Sequence, residues 1–171
     1  AQIANGGYKI QPKILTDDNE LTSEQVKKAM QDSKINNSYE PLYDDQKNIR
    51  IVQEAMFSST NEIMGTSYKS RIDDPKYQFA GKTGTAQVKR ISKRERELDL
   101  ETFQIPYEER DHALYVAYGP YSNPRYAVSI IVEHGGSGSS AAAPMATQLF
   151  KLIIDRHQYR KKMPDYKEFS I

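Results

Sequence analysis

Residues 78 to 88, QFAGKTGTAQV, place a lysine, two threonines and two glycines in five consecutive positions behind an apolar approach. Lys82 offers an ammonium, Thr83 and Thr85 offer hydroxyls, and Gly84 leaves a bare backbone position. A cation flanked by hydroxyls holds a carboxylate through charge-assisted hydrogen bonds. Gly84 clears side-chain volume, so an extended peptide can lie along the segment as an added strand. The N–H beyond the glycine can then point at a carbonyl oxygen. A phosphate loop fails on spacing, because G-x-x-x-x-G-K-[ST] needs a glycine five residues before Gly81 and that position holds Lys76. Phe79 and Ala80 also favour extension where such a loop must curl. The plainest alternative is a strand that ends in a turn.

Composition narrows the partners. The 24 Lys and Arg nearly balance the 23 Asp and Glu, leaving a formal net charge of +1, so there is no field suited to nucleic acid or to an anionic membrane surface. At 171 residues, 37% of them hydrophobic, the chain has enough material for one domain with a core. Cysteine is absent, which removes disulfide and thiolate chemistry, and no metal or other cofactor is implied. No signal peptide and no run of about 18 apolar residues is present.

The elements that must position Lys82 to Thr85 read as follows. AQIANGG looks like the last turn of a helix stopped by Asn5, Gly6 and Gly7, so the chain is expected to be part of something longer. YKIQPKIL reads as extended, and LTSEQVKKAM as a short helix with Thr22 and Gln25 at capping-box spacing. Asp44 and Asp45 open the strongest helical pattern, with Ile49, Val52, Ala55, Met56, Ile63 and Met64 as a core stripe and Gly65 as the stop. YQFAGKTGTAQV is a strand bounded upstream by Asp73, Asp74 and Pro75. Residues 89–111 form a charged, solvated insertion or mobile loop with room for one short helical turn. HALYVAY and RYAVSIIVEH, separated by the turn formers of GPYSNP, make an antiparallel hairpin. A flexible GGSGSS connection then leads to a C-terminal helix that presents Met145, Leu149, Leu152 and Ile153 to the sheet, and the tail after it frays. The expected fold is α+β, an antiparallel sheet packed against helices across residues 1–171.

Lys82-Thr83-Gly84-Thr85, lying between a strand entry and a hairpin with a C-terminal helix, resembles the third motif of the penicillin-recognising serine acyltransferases, the group of penicillin-binding proteins and serine β-lactamases. The flanks extend the resemblance. AQIANGGYKIQPKIL and FAGKTGTAQV are similar to segments of class B penicillin-binding proteins. The stretch from DHALYVAYGPYSNPRYAV through the last helix resembles the elongation-specific penicillin-binding protein 2 group.

The resemblance implies a peptidoglycan D,D-transpeptidase that transfers an acyl group from a D-Ala-D-Ala stem peptide through a serine, and that β-lactams acylate. It implies that Lys82 supplies positive potential, that the hydroxyls of Thr83 and Thr85 bind the terminal carboxylate, and that the Thr85 N–H forms half of an oxyanion hole. It also implies an inner-membrane, periplasm-facing parent with a cell-elongation glycosyltransferase partner. One departure is plain: no serine here is followed three residues later by lysine, so S-x-x-K is missing. The resemblance puts the nucleophile-bearing part and any N-terminal anchor outside these 171 residues. Ser59-Thr60-Asn61 matches the family's S-x-N motif in letters only. Its place after the IANGG segment is wrong, and mid-helix Ser and Asn are expected to face solvent.

His112, His134 and His157 lack metal-ligand spacing and read as surface or structural. Glu133 and His134 lie beside the glycine-rich loop, which offers an anion cradle at a helix start as its functional alternative. Two other functions compete with the enzyme fragment: a non-catalytic module that binds a peptide or a second copy along its strand edge, and a β-lactamase-type hydrolase fragment.

Overall fold

The computed structural model describes residues 1–8, 41, 44–90, 97–98 and 100–162; the extended segment expected after Tyr8, the Thr22 capping box and the C-terminal tail lie outside the described residues. The chain divides into two compact units, Ala1–Val52 and Gln53–Ile171. In the first, the opening residues form the helix end read from the sequence. Gly7 N–H donates to the Gln2 carbonyl and Gly6 N–H to the Ile3 carbonyl, the paired closure of a Schellman turn, with Gly6 at φ 91°. The Asn5 side chain then holds both the N–H and the carbonyl of Tyr8.

Helix α1, Gln46–Asn61, crosses the boundary between the units. The Asp45 carboxylate starts it by accepting the Lys47 N–H at 2.8 Å. Of the expected stripe, Ile49 and Met56 are buried, whereas Val52, Ala55, Ile63 and Met64 are exposed. The helix stops at Asn61, short of Ile63, because the chain doubles back over its own end. Ser67 N–H donates to the Ser59 carbonyl, and a Cβ at Gly65 would lie 2.4 Å from that same oxygen. A short 3₁₀ turn, Tyr68–Ser70, follows.

Three strands form the antiparallel sheet of the second unit, β1 (Ala80–Ala86), β2 (His112–Gly119) and β3 (Tyr126–Val132), in the order β1-β2-β3. The register sets Thr83 opposite Tyr115 and Thr85 opposite Ala113. The expected β2–β3 hairpin is present, its turn entered through a cis Gly119–Pro120 peptide. Alternation along β2 sends Ala113, Tyr115 and Ala117 into the core.

Helix α2, Ala143–Lys161, closes that core with Ala143, Ala146, Phe150 and Ile154. This is not the expected face: Met145 is 49% and Leu152 69% exposed. The reason is proximity. Alanines on helix and sheet let the two backbones approach, and Phe150 stacks on Phe79 at 4.8 Å, so the bulkier residues flank the contact. GGSGSS is also more than a connection. Gly138 is buried, and a Cβ there would stand 2.5 Å from the Leu114 carbonyl oxygen and 2.7 Å from that of Gly84. The loop is pressed onto the sheet as a single π-helical turn, Gly138–Ala142, which runs into α2. No helix among the described residues is long and apolar enough to cross a membrane.

Candidate active site

β1 changes character halfway along. Ala80 and Gly81 are buried, Thr83 and Gly84 half-buried, and Lys82 and Thr85 exposed. The strand is an edge of the described sheet, with β2 on one side and no strand on the other. Lys82 Nζ donates to the Thr83 carbonyl at 2.9 Å and approaches Thr83 Oγ1 at 3.4 Å, so the ammonium and one hydroxyl sit together. All four predicted residues, Lys82, Thr83, Gly84 and Thr85, therefore lie in one strand segment reachable from solvent.

The end of α1 holds this strand. Here the expectation that Ser59 and Asn61 face solvent is overturned: with Thr60 they tie the helix end to the sheet and its approach, Ser59 by way of Thr66. Asn61 Nδ2 donates to the carbonyl of Phe79, the residue before β1, at 2.9 Å. Thr60 is fully buried, and its hydroxyl lies 2.9 Å from the Tyr115 phenol oxygen. Ser59 Oγ lies 3.1 Å from Thr66 Oγ1, which lies 3.3 Å from Thr83 Oγ1. Buried and half-buried polar groups need such partners, so the hydroxyls of a helix end turn inward when a strand supplies them.

Tyr115 explains Gly81. The phenol crosses over that position to reach Thr60 and Ser67, and a Cβ on Gly81 would come within 2.2 Å of its oxygen. Glycine is required here for space and not for an unusual backbone angle. Ser67 Oγ donates to the Ser59 carbonyl and Thr60 Oγ1 to the Met56 carbonyl. Each hydroxyl has one proton, so when Ser67 and Thr60 spend theirs on those carbonyls the Tyr115 proton serves the cluster. Burial raises the Tyr115 pKa above its ordinary value, against the opposing effect of its hydrogen bonds with Ser67 and Thr60, and keeps that proton in place.

Gly84 is tight on its inner side, where a Cβ would meet the Leu114 Cβ at 3.3 Å and the Gly138 turn presses on its backbone. Beyond β1, the described part of the charged insertion carries two 3₁₀ turns, Thr102–Gln104 and Tyr107–Glu109. It is tied back at several points: Lys89 pairs with Glu109 at 2.6 Å, the Asp111 carboxylate accepts the Val88 N–H, and Thr102 packs against Gly136.

Two of the histidines form a structural pair. His134 N–H donates to His112 Nδ1 at 3.0 Å, and His134 Nδ1 faces the Arg110 carbonyl. The side chain of His157 lies outside the described residues. No group of three or more His, Cys, Asp or Glu that could hold a metal occurs among the described residues.

Comparisons with known proteins bear on the chain as a whole. Residues 1–151 match the family described as the penicillin binding protein transpeptidase domain, and the chain belongs to that family. Within it the likeness is to the penicillin-binding protein 2 type. The peptidoglycan D,D-transpeptidase MrdA of Haemophilus influenzae is 29% identical over 92% of this chain, which covers 24% of that protein. The MrdA of Acinetobacter baumannii is 39% identical over 66% of this chain and 15% of its own length. Among solved structures, Pseudomonas aeruginosa PBP2 in complex with WCK 5153 superposes with a TM-score of 0.59 at 28% identity, covering 89% of this chain and 28% of that one. The chain thus spans about a quarter or less of the curated relatives it matches.

Of the residues that matter around the site, sequence reasoning missed Thr66, Ser67 and Tyr115. The signal was the density of hydroxyls in SSTN and GTS on either side of the α1 stop. Such density at a helix end is more than solvation needs.

Proposed function

We propose that this chain is the C-terminal part of a peptidoglycan D,D-transpeptidase, that it carries the Lys-Thr-Gly wall of the acyl-transfer site, and that it is inactive alone. The observation that carries the reading is the placement of Lys82, Thr83 and Thr85 on the accessible half of an edge strand. In this reading the donor stem peptide, or a β-lactam, lies along that edge. Lys82 supplies positive potential, and the hydroxyls of Thr83 and Thr85 hold the terminal carboxylate. The Thr85 N–H donates to the carbonyl oxygen as it becomes an oxyanion, an interaction that contributes about 3 kcal/mol of transition-state stabilisation in enzymes built this way.

The chemical step needs a serine that attacks the D-Ala-D-Ala carbonyl, expels the terminal D-Ala and passes the acyl group to an acceptor amine, with a lysine as its base. No S-x-x-K pair occurs in these 171 residues, so both groups come from elsewhere in the parent protein. The parent is anchored in the inner membrane, faces the periplasm and works with a cell-elongation glycosyltransferase. No cofactor enters the reaction.

Fluorescent penicillin tests the division of labour. The expected result is a labelled full-length protein and an unlabelled isolated chain. Covalent labelling of the isolated chain would overturn its inactivity.

A further inference from the structure

We infer that Thr66 is a positioning residue for carboxylate recognition, acting through the hydroxyl of Thr83 with Ser59 behind it; the inference rests on the function proposed for Lys82 to Thr85. Three hydroxyls stand in line, Ser59 Oγ to Thr66 Oγ1 at 3.1 Å and Thr66 Oγ1 to Thr83 Oγ1 at 3.3 Å. Each has one proton to donate and lone pairs to accept with. When Thr83 gives its proton to a carboxylate, it can only accept from Thr66, and Thr66 can only accept from Ser59. Donation then runs one way, from Ser59 through Thr66 and Thr83 to the anion, and each bond polarises the next. Lys82 Nζ, 3.4 Å from Thr83 Oγ1, is also a pure donor and reinforces the same direction.

The far end of this line is fixed. Ser59 belongs to α1. The residue after Thr66 is anchored to Ser59 twice, Ser67 donating to its carbonyl through both N–H and Oγ. Thr66 is thereby held beside Thr83 by backbone geometry, with its hydroxyl as the single polar link between the helix end and the half of β1 that faces ligand among the described hydrogen bonds. Thr60 and Asn61 grip elsewhere, at Tyr115 of β2 and at Phe79 just before β1. Losing the Thr66 hydroxyl therefore leaves the strand in place and removes only the order imposed on Thr83.

The test uses the full-length protein and two probes, benzylpenicillin and its methyl ester, in which the carboxylate is masked. Second-order acylation rates are measured for the wild type, Thr66→Val, Thr66→Ser and Ser59→Ala, with thermal unfolding of each. Thr66→Val is expected to lower the rate with the free acid about three- to tenfold while changing the ester rate by less than about twofold. Thr66→Ser recovers most of the acid rate, and Ser59→Ala gives a smaller loss with the same acid selectivity, so the test stands even where Thr66→Val does not fold. Equal losses on acid and ester, an unchanged acid rate in Thr66→Val, or a Thr66→Ser as slow as Thr66→Val would each overturn the inference and leave the transpeptidase reading intact. A wild type acylated by neither probe would remove that reading and the inference with it.

Discussion

Two helices hold the same sheet by different physics. The end of α1 works through directed hydrogen bonds at Thr60 and Asn61 and, by way of Thr66, at Ser59, and α2 through an apolar face of Ala143, Ala146, Phe150 and Ile154. Apolar contact is strong but undirected, so it holds the sheet without fixing where any one hydroxyl points. A hydrogen bond contributes less to stability, about 1 kcal/mol net, yet fixes atoms to within a few tenths of an ångström. Under the proposed function the exposed half of β1 needs that second property, since a carboxylate is recognised by donor positions. Damage on the α2 side should therefore appear mainly as lost stability. Damage on the α1 side should appear mainly as lost reactivity.

Truncating Phe150 breaks the apolar side most severely. The ring is fully buried against Phe79, and Phe150→Ala should destabilise the protein by about 3–5 kcal/mol in a denaturant titration. Below its melting temperature the full-length form of this variant should still react with penicillin at close to the wild-type rate; a site-specific loss there would erase the distinction between the two helices. Gly81→Ala comes next. The new methyl must displace the Tyr115 phenol from Thr60 and Ser67, an overpacking that costs about 1–3 kcal/mol. Because the polar grip is the part disturbed, penicillin acylation of the folded full-length variant should fall too, and an unchanged rate would show that the Tyr115 cluster does not serve the site.

The smallest effect belongs to a polar link on the α2 side. Asp155 accepts hydrogen bonds from the Tyr77 hydroxyl and Lys76 Nζ, and these contacts, the Tyr77 bond foremost, hold its pKa below the ordinary 3.8. A depressed carboxylate pKa adds stability above the unfolded value and loses it as pH falls through the folded one. Asp155→Asn should therefore lower the melting temperature slightly at pH 7, and the gap should close below about pH 3.8. The effect is small because the pair is exposed to solvent. A gap that widened on acidification would reverse the assignment.

How much was legible in the sequence follows the same division. The β2–β3 hairpin was legible because β-branched and aromatic residues alternate on either side of a turn-forming GPYSNP, a local signal. The α2 helix was legible too, but its inward face was not. Periodicity shows that a stripe exists, while the choice between Leu149 with Leu152 and Ala146 with Phe150 depends on how close the sheet comes. Hydroxyls are ambiguous in the same way. Ser59 and Thr60 suit water or a partner equally, and the partner residues Thr66, Thr83 and Tyr115 lie 7 to 55 positions away in the chain. Glycines mislead differently. Gly138 looked like flexibility and is pressed onto Gly84, while Gly81 read only as a strand position and makes room for a phenol. In each case the sequence carries the residue and only the packed neighbour carries its reason.

The central claim is that Lys82 and its strand form one wall of a penicillin-reactive site, and the acylation rate of full-length Lys82→Ala tests it most directly. Lys82 is exposed and bonded only to its neighbour Thr83 among the described contacts, so its removal should leave folding unchanged. The account predicts a folded protein whose second-order rate with fluorescent penicillin is about ten- to a hundredfold below wild type, as expected when a charged donor to an anion is lost. A folded Lys82→Ala protein that reacts at the wild-type rate would contradict it.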